Sequence, residues 1–168
     1  INRGVGRTRQ ARCVISNMSP EPIFIEHIIA IIHTDQGAIS RDLIDFEEST
    51  AGQGEADRLV ETTRQGPMLS GSYNHIGSFR DIIDRVLRFH DLPSEDFRAT
   101  DGRTLQAIEL RVIAVYGSED SPVGASRTFA LTMSSEGEVL VPTRLDTRRY
   151  ASRPKRREVR RWMREQNG

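Results

Sequence analysis

IFIEHIIAIIHTDQGAIS, residues 23–40, is the stretch on which the fold turns. Six isoleucines lie between Ile23 and His33. β-Branched side chains lose rotamer freedom in a helix but pack well on a pleated surface, so the stretch reads as a strand. Strict alternation puts Ile23, Ile25, Ile29 and Ile31 on one face and Phe24, Ile28, Ala30 and Ile32 on the other. Apolar groups on both faces require cover on both sides. Asp35-Gln36-Gly37 follows as a hairpin turn, its glycine free to take positive φ, and Ala38 to Phe46 reads as the returning strand.

Working outward, Ala11, Cys13 and Ile15 alternate with Arg12 and Ser16, the period of a half-buried strand, and Asn17–Pro22 breaks it. Downstream, 47–57 is acidic and glycine-containing and reads as a loop. Arg58–Thr63 reads as a short strand, and Gly66–Ile76 as an irregular connection. Phe79, Ile82, Ile83, Val86 and Leu87 then recur at helical spacing. Ser78 is placed to cap this helix with Asp81, Asp81–Arg85 and Asp84–Arg88 are acid-first i,i+4 pairs, and Pro93 is expected to end it. After Asp101-Gly102, residues 104–116 alternate (Ile108, Leu110, Val112, Ala114 and Tyr116 against Glu109 and Arg111). Phe129–Met133 and Val139–Val141 follow, separated by polar or glycine turns. Six or seven strands with no repeated β-helix-β rhythm predict an all-β fold, an immunoglobulin-like β-sandwich, with one inserted amphipathic helix near 78–90. This β domain spans 1–147.

The last segment differs in kind. Within 148–168, Val159, Trp162 and Met163 are spaced i, i+3, i+4 among arginines, with Ser152 and Pro154 at a helix start, which predicts a basic amphipathic C-terminal helix. The chain has 168 residues, 24 basic and 24 acidic, and a formal net charge of zero. That balance hides an asymmetry: residues 1–12 carry four arginines and no acid, residues 144–168 carry ten basic and three acidic groups, and the middle is strongly acidic. Fields of opposite sign on one chain favour different partners. No apolar run approaches the roughly 20 residues that cross a bilayer, so this segment is not expected to span one. Cys13, the single cysteine, excludes an intramolecular disulfide and reads as a buried, inert thiol. The start at Ile1, without methionine or signal pattern, suggests a fragment or a processed product.

No catalytic constellation emerges. Gly4-Val5-Gly6 lacks the strand that a nucleotide loop needs, and no nucleophile elbow occurs. His27 and His33 share a strand face but lie roughly 20 Å apart at strand rise, too far for one metal. Asp42, Asp45, Glu47 and Glu48 lack the spacing of a calcium loop. No cofactor or metal is therefore assigned. The densest polar loop, Ser70-Gly71-Ser72-Tyr73-Asn74-His75, carries the one enzymatic alternative, a hydrolase-like site around His75.

The basic tail carries the leading reading. Arg153, Lys155, Arg156, Arg157, Arg160, Arg161 and Arg164 are expected to bind an anion or an anionic membrane surface, with Trp162 seated at the interface. The same groups could grip a nucleic-acid backbone, although the acidic body opposes that. They could also dock on the acidic body of their own chain or of a protein partner.

INRG at the start, ARCVISNMSPEPIFIEHIIA (11–30) and VYGSEDSPVGASRTF (115–129) resemble an uncharacterised family of bacterial membrane-anchored proteins in which a membrane helix and a basic stretch precede a β domain. The resemblance brings no activity. It implies a transmembrane anchor upstream of Ile1 and, with Arg3–Arg12 as a juxtamembrane basic run, a domain on the cytoplasmic side. The expectation is a non-catalytic, membrane-associated interaction domain that binds a protein partner or anionic lipid.

Overall fold

A computed structural model of the chain describes residues 1–44, 64–92, 94–95, 98–117, 119, 121–135 and 137–166. The elements run β1 (Asn2–Arg3), β2 (Arg12–Ser16), β3 (Ile23–Thr34), β4 (Gly37–Asp42), β5 (Gly66–Met68), β6 (Tyr73–Ser78), α1 (Phe79–Phe89), β7 (Ser94–Glu95), β8 (Arg98–Ala99), β9 (Leu105–Tyr116), β10 (Val123–Ser134), β11 (Gly137–Pro142), β12 (Arg148–Tyr150) and α2 (Arg153–Gln166). Two antiparallel sheets result. One is β1-β2-β6; the other is β11-β10-β9-β3-β4, with β12 also on β10 and β5 also on β3. β7 and β8 form a separate short hairpin. This is an all-β sandwich with two helices. In the immunoglobulin division of strands, β1, β2 and β6 take the places of A, B and E, and β3, β9 and β10 those of C, F and G.

The isoleucine stretch behaves as its composition demands, with one change of phase. A register shift between Ile25 and His27, where β3 pairs with β9, inserts one extra residue. It turns Ile25 onto the side of Ile28, Ala30 and Ile32, all in the main core, while Ile29 and Ile31 point to a second apolar cluster on the outer face. The expected grouping of Ile25 with Ile29 and Ile31 is thus corrected by a bulge that alternation cannot reveal. Asp35 and Gln36 form the hairpin turn and Gly37 takes φ +122°. β4 stops at Asp42; Asp45, Phe46, the loop over 47–57 and the strand over 58–63 lie outside the described residues.

α1 packs its stripe, Phe79, Ile82, Ile83, Val86 and Leu87, into the main core, with Phe79 edge-on to Phe129 at 4.9 Å between ring centroids. Ser78 Oγ accepts from the Asp81 amide at 3.1 Å and Asp81 Oδ2 accepts from the Ser78 amide at 3.1 Å, a complete capping box. The cap engages Asp81; Asp84 pairs with Arg80 at 3.7 Å and its carbonyl accepts from Arg88 Nε at 3.2 Å, instead of the expected acid-first side-chain pair. The helix closes at Phe89, capped by His90, with Asp91 in the left-handed region at φ 55°; Pro93 lies outside the described residues.

The connection expected to be irregular, 66–76, contributes β5 and β6. β6 buries a single apolar side chain, Ile76, and bends through Gly77 at φ +107°, so it has no alternation to read. Cys13 is fully buried on β2, and burial pushes its thiol pKa up to about 12, well above its ordinary value.

Two loops define one end of the sandwich. β2 runs out at Ser16 opposite Tyr73, and β3 begins at Ile23 opposite both Met68 and Tyr116. Buried Asn17 ties the loops over 17–22 and 69–72 together. Its Nδ2 donates to the Met68 carbonyl at 3.0 Å and to the Glu21 carbonyl at 2.9 Å, and its Oδ1 accepts from the Ser19 amide at 3.0 Å. The β9–β10 connection and the entry to α2 lie at this same end, because Val123 pairs with Ala114 and Gly124 with Tyr150.

A candidate anion-binding face on the C-terminal helix

α2 is built from good helix formers, with Pro154 in its first turn, where no amide is required of it. The Ser152 carbonyl accepts from the Arg156 amide at 2.9 Å and starts the ladder. A rotation of 100° per residue sends Val159, Trp162 and Met163 to one side and Arg153, Arg157, Arg160, Arg161 and Arg164 to the other.

The apolar side is occupied by the protein itself. β12 adds to the edge of β10, and Val159, Trp162 and Tyr150 bury against Ile29, Ile31 and Ile113 on the outer face of the large sheet. Trp162 stands edge-on to Tyr150 at 4.6 Å, and the Arg111 guanidinium lies 4.7 Å from its ring centroid. Arg111 is steadied by Glu109 at 2.8 Å, and the other oxygen of that carboxylate meets His33 Nε2 at 3.2 Å. Gly124 permits the close approach of the helix. A Cβ there would lie 2.8 Å from Val159 Cγ2 and 3.0 Å from Trp162 Cζ3.

This corrects one expected role. Trp162 is 3% exposed and faces the sheet, so it is not an interfacial residue. A tryptophan at i+3 from a valine serves a protein core and a membrane equally well by pattern. The partner decides, and here the partner is the outer face of the large sheet.

The polar side is open. Arg153, Lys155, Arg157, Arg160, Arg161 and Arg164 are exposed. Arg156 is half-buried and drawn inward, to Glu119 Oε2 at 2.5 Å and the Ala151 carbonyl at 2.7 Å. Arg160 donates to Ser121 Oγ at 2.8 Å, and Lys155 Nζ to the Arg149 carbonyl at 3.3 Å. Between the start of α2 and the β9–β10 connection lies an open groove of about 640 Å³, walled by Arg153, Arg156, Arg157, Arg160 and Ser121, with Glu119 the single carboxylate among its described lining residues. Glu119, Ser121 and Gly124 were legible only as members of a polar turn. Pairing an acid there with Arg156, thirty-seven positions on, needs the fold.

The N-terminal arginines have a different fate. Arg9 Nε pairs with Glu138 at 2.5 Å, both largely buried; Arg3 donates to the Leu140 carbonyl; Arg12 Nη1 lies 3.1 Å from His75 Nε2. Arg3 and Arg9 are thus engaged by the protein's own sheet, while Arg7 and Arg12 are exposed.

His75 is exposed on β6 beside that guanidinium, and no carboxylate or hydroxyl among the described residues lies in hydrogen-bond reach of it. The hydrolase-like arrangement is not assembled there. His27 Nδ1 meets Asp42 at 2.6 Å and His33 meets Glu109, two separate pairs. Among the described residues no three His, Cys, Asp or Glu side chains gather as metal ligands, and no helix is long and apolar enough to cross a membrane. No family model matches the chain, and no curated protein or solved structure is significantly similar to it.

Proposed function

We propose that this is a non-catalytic interaction domain that binds an anionic membrane surface through the arginine face of α2, held at the cytoplasmic side of a membrane by an anchor upstream of Ile1. The observation that carries the reading is the division of labour on α2: its apolar stripe is consumed by the sheet while five arginines remain on the open side. Basic groups near an anionic leaflet contribute about 1 kcal/mol each, and the attraction decays within a Debye length. With Trp162 buried, the helix contributes charge and not insertion, so binding is expected to weaken steeply with salt. Tyr150 and Trp162 are both buried, leaving this face without an aromatic platform for bases, which disfavours single-stranded nucleic acid.

Cosedimentation with anionic and with neutral vesicles tests this. Binding to anionic vesicles alone is expected. The combined change Arg157→Glu, Arg161→Glu and Arg164→Glu should weaken it by at least about a hundredfold, since losing the attraction of three groups alone is worth about 1 kcal/mol each and reversal adds repulsion. Equal affinity for neutral and anionic vesicles, or indifference to the triple change, refutes the reading.

A further inference from the structure

The arginine groove opens at the end of the sandwich where the β2–β3 and β5–β6 loops meet, and those loops carry two of the molecule's exposed large apolar side chains. Met18 is 74% and Leu69 66% exposed. The two loops are held together by backbone and side-chain links: the Gly71 amide donates to the Asn17 carbonyl at 2.8 Å, Ser70 Oγ to the Ser19 carbonyl at 2.7 Å, and buried Asn17 braces both strands of chain. Loop tips fixed in this way present apolar surface without paying much further ordering entropy on binding.

Beside them lies an open cleft of about 690 Å³ that reaches from Met18 to Ala151 and mixes apolar Ile15, Ile23 and Val123 with Arg127, Arg149 and one carboxylate, Asp146. Ala151 also walls the arginine groove, so apolar tips, mixed cleft and guanidinium groups form one continuous surface. Apolar side chains flanked by arginines match one kind of surface in particular, the boundary between anionic headgroups and acyl chains. A polyanion such as nucleic acid offers no counterpart to Met18 and Leu69.

We infer that this end of the sandwich docks on an anionic phospholipid bilayer, with Met18 and Leu69 entering the headgroup–acyl boundary while Arg153, Arg157 and Arg160 take lipid phosphates. The inference rests on the proposed membrane reading and adds an orientation and an inserting element. Ile1 lies at the same end, since Asn2 faces Val14 and the Ile1 carbonyl accepts from Thr147 Oγ1. A tether upstream of Ile1 would thus deliver this face to the bilayer. The loop over 4–11, with fully exposed Val5, lies at the opposite end and would point away.

The test uses an environment-sensitive fluorophore on Leu69→Cys and, separately, on Val5→Cys; buried Cys13 stays unlabelled in the folded protein. Phosphatidylserine-containing vesicles should blue-shift the probe at 69 and leave the probe at 5 unchanged, and neutral vesicles should shift neither. Met18→Ser with Leu69→Ser should weaken binding to the anionic vesicles about tenfold and leave binding to soluble polyphosphate unchanged, whereas the triple arginine reversal weakens both. A double serine variant that binds vesicles like the wild type, or a shift at position 5 and none at 69, overturns the inference and leaves the arginine reading standing. Vesicle binding indifferent to the arginine reversal overturns both.

Discussion

The chain carries arginines at both extremities, and the two sets do opposite things. Arg3 and Arg9 reach back onto the far end of the sheet, to the Leu140 carbonyl and to Glu138, and act as ties of the β1–β2 connection. Arg157, Arg161 and Arg164 sit on a helix whose other face is fastened down, and none of the three pairs with an acid among the described residues. Composition alone scores the two clusters alike. Their difference lies in what stands opposite, and the lesson is that a cluster of charge becomes a candidate binding site only after the fold has taken the share it needs.

The contrast breaks most visibly if α2 is released. Trp162→Ala is expected to cost about 3–5 kcal/mol, the range for truncating a buried aromatic side chain. It should expose the tail to limited proteolysis near Ala151 and lower vesicle affinity, because the arginines lose their rigid support. A denaturation midpoint matching the wild type would mean that the helix is not seated as described. Gly124→Ala attacks the same contact from the sheet side. The added methyl meets Val159 and Trp162, so a loss of about 1–3 kcal/mol is expected by overpacking, with the same increase in proteolysis.

Arg9→Ala sharpens the other half of the contrast. Removing the partner of a largely buried carboxylate should cost about 1–2 kcal/mol in urea unfolding, less than for a fully buried pair, and leave vesicle binding untouched. A drop in binding without loss of stability would make the N-terminal arginines part of the functional face.

The smallest effect concerns Cys13. Its folded pKa lies above its unfolded value of 9.0, so the folded state keeps the proton longer. The thiol's contribution is therefore complete below pH 9 and is lost as pH rises toward about 12. Wild type should lose more stability than Cys13→Ala between neutral pH and about pH 10, and a thiol reagent should label it only on unfolding.

Most of the frame was legible in the residues. β3, β9 and α1 declare themselves because each buries several side chains at its own period, and Asp35-Gln36-Gly37 marks its turn by chemistry. β6 stayed hidden because one buried isoleucine makes no period. The bulge at Glu26 stayed hidden because it is a property of the pairing with β9 and not of β3 alone. At the candidate site, the arginine face of α2 was legible from helical spacing. The burial of Trp162 was not, since it depends on the bare backbone at Gly124, which lies in another element.

The pairing of β3 with β9 also has a consequence during synthesis. Ile31 faces Glu109, so the isoleucine strand leaves the ribosome roughly 80 residues ahead of its central partner, with the β4 hairpin and then β5 to cover one edge. Its other edge and both apolar faces wait for β9, α1 and α2. Long-range closure of this kind makes for slow folding and a prolonged opportunity for strand-to-strand association between nascent chains. The yield of native protein should accordingly depend on chaperone capacity and expression temperature more than on the stability of the finished sandwich.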